Sequence, residues 1–201
     1  MEQNESNYME KSIGIKKKTA IFISGNGSNM RNLIKFSKKK YSSINVDLVI
    51  SSNKKSNATQ YLKKNKIDFK IFNFKQKNKD EEKILNILKK REIQLICLAG
   101  FMKILSRSFI KRFNGKIINI HPSLLPKYKG LNTHERAILN KEKFSGCTVH
   151  FVNSKLDSGK IIIQKKVKIN KKDDPKSLSK KILKQEHLLY PKALKKIFSR
   201  A

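Results

Sequence analysis

Residues 19–34 read TAIFISGNGSNMRNLI and indicate a strand, a tight glycine loop and a helix in succession. Thr19–Ser24 is apolar and rich in β-branched residues, which is typical of a buried strand. Beyond the loop, Met30, Leu33 and Ile34 recur at helical spacing. Because a strand followed by a helix is the first half of a βαβ unit, this stretch predicts an α/β fold.

The same alternation continues along the chain and predicts a mostly parallel, doubly wound, Rossmann-like sheet. Further strands are expected at Val46–Ile50, Ile67–Phe74, Leu95–Leu98, Ile117–Ile120, Thr148–Val152 and Ile161–Gln164. Helices are expected at Ala58–Lys64, Asp80–Lys90, Phe109–Phe113, Glu135–Asn140 and from Ser177 onward. Pro191 should interrupt or kink the last helix, because proline lacks the backbone N–H that a helix uses. We expect a flexible leader over residues 1–18 and one domain over residues 19–201.

The composition fits one compact domain and leaves a competing class of protein open. The chain has 201 residues and a formal net charge of +32, from 47 basic and 15 acidic side chains. Such a charge attracts polyanions, so a non-catalytic basic nucleic-acid-binding protein is an alternative. Nearly all of the positive charge is lysine spread along the whole chain, and specific nucleic-acid recognition is therefore not expected.

The sequence also predicts the compartment. The longest apolar runs fall far short of the roughly 20 residues that a membrane-spanning helix needs. The polar start of the chain carries Glu2, Glu5 and Glu10, which neither secretory nor organellar signals favour. Cys97 and Cys147 lie in apolar runs, as is typical of buried free thiols. We expect a cytoplasmic protein that contacts no membrane.

The loop Gly25-Asn26-Gly27-Ser28-Asn29 is the first candidate binding site. It opens a predicted helix, where unpaired backbone N–H groups and the helix dipole favour an anion such as phosphate. Ser28 and Asn29 can cap the helix or add hydrogen bonds. An ordinary capped turn is the alternative, and the loop matches neither the dinucleotide nor the nucleotide-triphosphate pattern.

Asn119, His121 and Asp157 are the second candidate site. Asn119 and His121 end a predicted strand and point to one face of the sheet. They lie at the carboxyl end of the strand, outside which ligands gather in parallel open sheets. Asp157 lies in a predicted loop from which a carboxylate can reach back toward the imidazole. Taken singly, the histidine can be structural and the aspartate an ordinary turn residue. Together they supply an oxyanion donor, a proton-transfer group and a carboxylate that favours protonated imidazole.

Four stretches of the chain resemble the phosphoribosylglycinamide formyltransferase family of purine biosynthesis. They are Ile23-Ser24-Gly25-Asn26-Gly27-Ser28-Asn29, Leu98-Ala99-Gly100-Phe101-Met102-Lys103-Ile104-Leu105-Ser106, Asn119-Ile120-His121-Pro122-Ser123-Leu124-Leu125-Pro126-Lys127-Tyr128 and Gln185-Glu186-His187. The resemblance runs from about Thr19 to Pro191. It implies a formyltransferase domain with a phosphate-binding half at about 19–115 and a folate-binding, catalytic half at about 116–201.

The resemblance also implies the substrates and their contacts. The formyl donor would be 10-formyltetrahydrofolate as a co-substrate, and the acceptor would be glycinamide ribonucleotide. Acceptor contacts are implied for Gly27, Ser28, Asn29, Met30, Arg31 and Glu186. Folate contacts are implied for Lys77, Met102, Lys103, Ile104, Leu105 and Asn119, with Lys77 placed by an ungapped comparison.

Asn119, His121 and Asp157 are by this resemblance the catalytic set. The acceptor amine would attack the formyl carbonyl, and Asn119 with protonated His121 would stabilise the resulting oxyanion. Asp157 would raise the pKa of His121 by its charge and could organise a water that relays the amine proton. No metal is required, and the other histidines fit no zinc signature, so we expect them to have structural or supporting roles.

Two related enzymes are the nearest alternatives. A formyltetrahydrofolate deformylase shares the Asn-His-Asp arrangement but has an additional regulatory segment before its catalytic domain. A methionyl-tRNA formyltransferase continues into a C-terminal RNA-binding barrel. We expect neither extension here. The expected partners are small-molecule substrates, with no specific nucleic acid, and the expected state is a monomer or weak homodimer.

Overall fold

The structure is a computed structural model that describes residues 15–54 and 57–198. Residues 1–14 of the predicted leader therefore lie outside the described residues. Its last two residues, Lys17 and Lys18, belong to the first strand. Among the described residues, no helix combines the length and apolar character that crossing a bilayer requires.

Within the described residues, seven strands form one sheet in the order β3-β2-β1-β4-β5-β6-β7. Neighbouring strands from β3 to β5 are parallel, and β6 and β7 add antiparallel pairs at one edge. The predicted α/β class with a mostly parallel sheet is confirmed. The strands are β1 Lys17–Ile23, β2 Ile44–Ser51, β3 Phe69–Ile71, β4 Leu95–Leu98, β5 Lys116–His121, β6 Phe144–Phe151 and β7 Ile161–Lys168.

Six helices of the described chain cover the sheet or connect its strands. They are α1 Ser28–Ser37, α2 Asn57–Lys64, α3 Lys77–Lys90, α4 Arg107–Arg112, α5 Thr133–Leu139 and α6 Pro175–Phe198. The predicted strand Leu95–Leu98 matches the structure residue for residue. The strand predicted to start at Thr148 begins four residues earlier, because pairing with β7 holds the weakly strand-forming Ser145 and Gly146 in the sheet.

Strand β1 is buried on both faces and divides the core. Ile21 and Ile23 pack with α1 and α6, whereas Ala20 and Phe22 pack in a second cluster with α3. All four side chains are inaccessible to solvent. A continuous apolar strand is what a parallel sheet covered by helices on both faces requires.

Helix α6 runs through Pro191 without a break, so the predicted interruption is wrong. Proline removes the N–H that would bond the carbonyl four residues earlier, which here belongs to His187. The side chain of Asn32, on α1, donates to that carbonyl at 2.6 Å. A neighbouring helix therefore supplies the hydrogen bond that proline cannot make, and this offsets part of the cost of Pro191.

Replacing Asn32 with alanine should lower the free energy of unfolding by about 1–3 kcal/mol, because the His187 carbonyl loses its partner. In a Pro191→Ala background, the introduced alanine offers its own N–H to that carbonyl, and the same substitution of Asn32 should cost under ~1 kcal/mol. Urea unfolding of the four proteins in this double-mutant cycle measures the difference. Equal costs in both backgrounds would refute the compensation.

Candidate active site

Polar loops gather where β1, β4 and β5 end, at the point where the order of the sheet reverses. The chain runs from β1 outward to β2 and β3, then returns to the other side of β1 for β4 and β5. In open α/β sheets, ligands bind in the crevice outside such a switch point. Two openings lie near this edge: a cleft of about 720 Å³ and a smaller groove of about 420 Å³.

Asn119, His121 and Asp157 all line the larger cleft. Asn119 and His121 stand two residues apart at the end of β5, so both point to the same side of the strand. Asp157 comes from the loop between β6 and β7, and its Oδ2 lies 3.4 Å from Nδ1 of His121. The side chains of His121 and Asp157 are 7% and 8% exposed, so water screens their interaction little.

Asp157 is held in place by its backbone and by three neighbours. Its φ of +44° lies in the left-handed region. The backbone N–H of Gly130 donates to Oδ2 at 2.9 Å, and Oδ1 lies 3.6 Å from Nε2 of His150. Burial alone raises the pKa of Asp157, but His150, the Gly130 N–H and His121 together outweigh burial and hold the pKa below its ordinary value. The carboxylate is therefore ionised at neutral pH.

The pKa of His121 differs from the expectation. Burial lowers this pKa, and its effect exceeds the upward effects of the Tyr128 carbonyl and of Asp157. Asp157 thus acts in the expected direction, but the net pKa lies below the ordinary value. This direction favours the neutral ring in the free protein, and the role of a protonated His121 during the transfer stays a prediction.

The contacts of His121 identify which ring nitrogen carries the proton. Nε2 lies 2.8 Å from the carbonyl oxygen of Tyr128. Because a carbonyl oxygen only accepts, Nε2 donates, and the neutral ring has its lone pair on Nδ1. That lone pair faces Asp157, so Nδ1 is placed to gain a proton beside a carboxylate.

The start of α1 has the geometry of an anion site. Gly27 adopts a left-handed conformation with φ +72°, and no side chain caps the helix. Of the two roles expected for Ser28 and Asn29, capping is not seen, and Asn29 instead adds a hydrogen bond to Glu186. The first backbone N–H groups of a helix have no partner within it, so this end is available to a phosphate.

The smaller groove runs along the exposed side of α1. Its lining is polar or basic and consists of Asn26, Ser28, Arg31, Asn32, Lys35, Asn57 and His187. The guanidinium of Arg31 lies 4.9 Å from the centre of the Tyr61 ring. Met30 is fully buried, so only its backbone can contact a ligand. Ser28 and Arg31 thus reach the groove with their side chains, and Met30 does not.

Asn29 and Glu186 form a buried pair between α1 and α6. Nδ2 of Asn29 donates to Oε2 of Glu186 at 2.6 Å, and the two residues are 7% and 6% exposed. Burial raises the pKa of Glu186 to about 7, although the bond from Asn29 acts in the opposite direction. The Oδ1 atom of Asn29 is buried and has no hydrogen-bond partner among the described residues.

The pKa of Glu186 predicts a pH-dependent stability. The folded pKa is raised from 4.5 to about 7, so the folded protein binds more protons than the unfolded chain between these values. The stability that this group contributes is complete below pH ~4.5 and is lost as the pH rises through ~7, a loss of about 3 kcal/mol. A Glu186→Gln variant keeps an acceptor for Asn29 and lacks this loss.

Unfolding free energies measured from pH 4 to pH 8 should therefore show the Glu186→Gln variant gaining about 3 kcal/mol on the parent protein. The matched control is Glu82→Gln. The hydrogen bond from Arg112 holds the pKa of Glu82 below its ordinary value. The difference in unfolding free energy between Glu82→Gln and the parent should therefore change with pH in the opposite direction. A difference in unfolding free energy between Glu186→Gln and the parent that stays constant with pH would contradict the prediction.

The predicted folate residues are distributed unevenly. Met102, Lys103, Ile104 and Leu105 all line the larger cleft. Met102 and Ile104 are 71% and 65% exposed and form an apolar rim, whereas Leu105 packs into the core. Lys77 begins α3 and is not among the residues that line the cleft.

Two histidines of the cleft are residues for which the sequence predicts no more than a structural or supporting role. His134, at the start of α5, and His150, on β6, both line it. The alternation of β6 suggests that His150 is buried, but no local pattern reveals which residue lies opposite in the neighbouring strand. Within residues 15–54 and 57–198, no group of three or more His, Cys, Asp or Glu side chains is arranged to hold a metal ion.

Comparisons with known proteins identify the family of this chain. A family model described as formyl transferase matches residues 17–194. A phosphoribosylglycinamide formyltransferase of Haemophilus influenzae is 39% identical over 182 residues, which cover 89% of this chain and 86% of the relative. The human trifunctional purine biosynthetic protein adenosine-3 is 40% identical over 187 residues, or 92% of this chain. This chain spans only 18% of that longer relative.

Solved structures extend the similarity to the fold. The phosphoribosylglycinamide formyltransferase of Bacillus halodurans superposes with a TM-score of 0.87 at 34% identity, over 92% of this chain and 96% of that one. The corresponding protein of Anaplasma phagocytophilum gives a TM-score of 0.83 at 41% identity, over 90% of this chain and 86% of that one. Because the family model spans nearly the whole domain and these structures share its fold, this chain belongs to the formyl transferase family.

Proposed function

We propose that this chain transfers the formyl group of 10-formyltetrahydrofolate to the amine of glycinamide ribonucleotide, a step of purine biosynthesis. One observation carries the proposal. Asn119, His121 and an ionised Asp157 converge in one cleft beside an uncapped helix terminus suited to phosphate. The names of the similar proteins support the same substrates.

The two openings fit the two substrates. The larger cleft has an apolar rim at Met102 and Ile104, which suits the flat aromatic part of a folate. The smaller groove begins at the N-terminal end of α1 and carries Arg31, which suits a ribonucleotide phosphate. Ser24 directly precedes the glycine loop that opens α1, and its hydroxyl accepts from the Met102 N–H at the rim of the cleft at 2.8 Å. An acceptor anchored at α1 would therefore extend its amine toward the cleft.

The transfer needs a nucleophilic amine and a stabilised oxyanion. The amine must lose a proton, and the departing folate nitrogen must gain one. The amine nitrogen attacks the formyl carbon, a C–N bond forms, and the carbonyl electrons move to oxygen. The N–H of Asn119 and the Nε2–H of His121 donate to this oxyanion, the latter in exchange for its bond to Tyr128. When the intermediate collapses, the bond from carbon to the folate nitrogen breaks, and that nitrogen gains a proton.

His121 and Asp157 would act together as the proton carrier. When the imidazole is neutral and Nε2 donates to Tyr128, its Nδ1 lone pair faces the carboxylate. Nδ1 can accept the proton that the attacking amine releases, because Asp157 stabilises the imidazolium that forms. A protonated ring is also a stronger donor to the oxyanion and can pass a proton to the departing folate nitrogen. This sequence of steps starts from a neutral histidine.

A single assay tests the proposal. Purified protein is incubated with 10-formyltetrahydrofolate in the presence and absence of glycinamide ribonucleotide, and formylated product, tetrahydrofolate and formate are measured. The proposal predicts tetrahydrofolate release that depends on the acceptor and matches the formylated product. Formate release without the acceptor would indicate a deformylase, and no turnover under either condition would refute formyl transfer.

A further inference from the structure

His150 lies directly opposite Asn119 in the antiparallel pair formed by β5 and β6. It is 2% exposed and lines the larger cleft. Directly opposed residues bring their side chains together on one face of a sheet, and here Nδ2 of Asn119 lies 3.3 Å from Nε2 of His150. The residue that would bind the oxyanion is thus in contact with a buried imidazole.

A second contact of His150 identifies which ring nitrogen carries the proton in the neutral form. Nδ1 lies 2.8 Å from the carbonyl oxygen of Phe151, which can only accept, so Nδ1 carries a proton. In the neutral ring Nε2 then has a lone pair. Nε2 lies 3.3 Å from Nδ2 of Asn119 and 3.6 Å from Oδ1 of Asp157, and the Asn119 amide is the nearer group and the one that can donate to this lone pair.

This tautomer determines which way the Asn119 amide faces. An asparagine amide has a donor end and an acceptor end, and a rotation of about 180° exchanges them. The lone pair on Nε2 attracts the NH₂ group and repels the carbonyl oxygen. One N–H of Asn119 is used by His150, and the second remains available to a ligand. In the opposite orientation, the amide oxygen would face a developing oxyanion and repel it.

We propose that His150 is a positioning residue that holds the Asn119 amide with its N–H toward the formyl oxygen. The inference rests on the proposed formyl transfer. His150 touches no reacting atom and acts only through Asn119. Its effect belongs to the transition state, where negative charge develops on oxygen, and substrate binding in the ground state depends on it little.

Two substitutions separate the two contacts of His150. His150→Gln places a carbonyl oxygen near the position of Nε2 and keeps an acceptor for Asn119, but it loses the bond to Phe151. His150→Asn keeps a donor near the position of Nδ1 and loses the acceptor for Asn119. We expect kcat to fall about 10- to 100-fold in His150→Asn with KM for both substrates within ~3-fold, and to stay within ~5-fold of the parent in His150→Gln.

A double-mutant cycle and a spectroscopic measurement complete the test. In an Asn119→Ala background, His150→Asn should lower kcat by less than ~3-fold, because no amide remains to be oriented. The chain has 4 histidines, so nitrogen NMR can assign the His150 ring and should find the proton on Nδ1 and a lone pair on Nε2. Equal losses in both variants, additive losses with Asn119→Ala, or a proton on Nε2 would overturn the proposal.

The NMR measurement distinguishes this proposal from the proposed function. If the protein fails to transfer formyl groups, the ring tautomer and the amide proton signals of Asn119 still report whether His150 orients that amide. If transfer occurs but the His150 proton resides on Nε2, the proposed function is supported and the positioning role of His150 is refuted.

Discussion

An Asp157→Asn variant should lose about 100-fold or more in kcat while remaining folded. Asparagine keeps an oxygen that can accept from the Gly130 N–H, so the loop contact survives. The negative charge beside His121 and His150 is lost. Since that charge raises the pKa of His121 against the effect of burial, its removal lowers this pKa further and makes the imidazolium harder to form.

Steady-state kinetics and histidine titration by NMR measure both effects. The pKa of His121 should fall in the variant, and kcat should fall with it. Asp47→Asn is a matched control, because Asp47 pairs with Arg91 at 3.1 Å on β2 and does not line the cleft. A variant with near-parental kcat, or one whose melting temperature falls together with its activity, would contradict a catalytic role for the carboxylate.

A Gly159→Ala variant should be strongly destabilised and should lose most of its activity. A Cβ at Gly159 would lie 1.7 Å from the carbonyl oxygen of Phe151, which belongs to the backbone of β6. Neither group can rotate away, so the loop must move off the strand. We expect the free energy of unfolding to fall by about 3 kcal/mol or more, since overpacking against a fixed backbone costs at least the 1–3 kcal/mol typical of cores.

The activity loss follows from the position of this loop. Gly159 stands two residues after Asp157, so displacing it moves the carboxylate away from His121 and His150. Chemical unfolding and kcat are the two readouts. Gly25→Ala is the matched control for stability, because a Cβ there meets no atom within 4 Å. Parental stability in Gly159→Ala would show that the loop does not pack as described.

The order of elements could be predicted from sequence because it depends on local periodicity. Buried runs such as Leu95–Leu98 and the spacing of Met30, Leu33 and Ile34 identify strands and helices without knowledge of distant residues. The ends of strands were predicted less accurately where pairing with a neighbouring strand overrides the strand propensity of single residues. β6 extends back to Phe144 because β7 supplies partners along its whole length.

The site could be predicted in its chemistry but only partly in its arrangement. Asn119 and His121 share a face because they alternate along one strand, which sequence alone specifies. The position of Asp157 opposite His121 was supplied by family resemblance and by the geometry of the loop. Lys77 illustrates the limit, because an ungapped comparison cannot account for loops and the residue does not line the cleft.

By itself, the sequence determined the α/β order, the glycine loop that opens α1 and the shared face of the candidate residues Asn119 and His121, since each of these depends on neighbouring residues. Only the tertiary structure decided the downward shift of the His121 pKa, the carbonyl that Asn32 satisfies and the contact between His150 and Asn119. These features depend on burial and on the register between strands or helices that are distant in the chain. No short stretch of residues encodes such non-local quantities, because they arise when separate elements pack together.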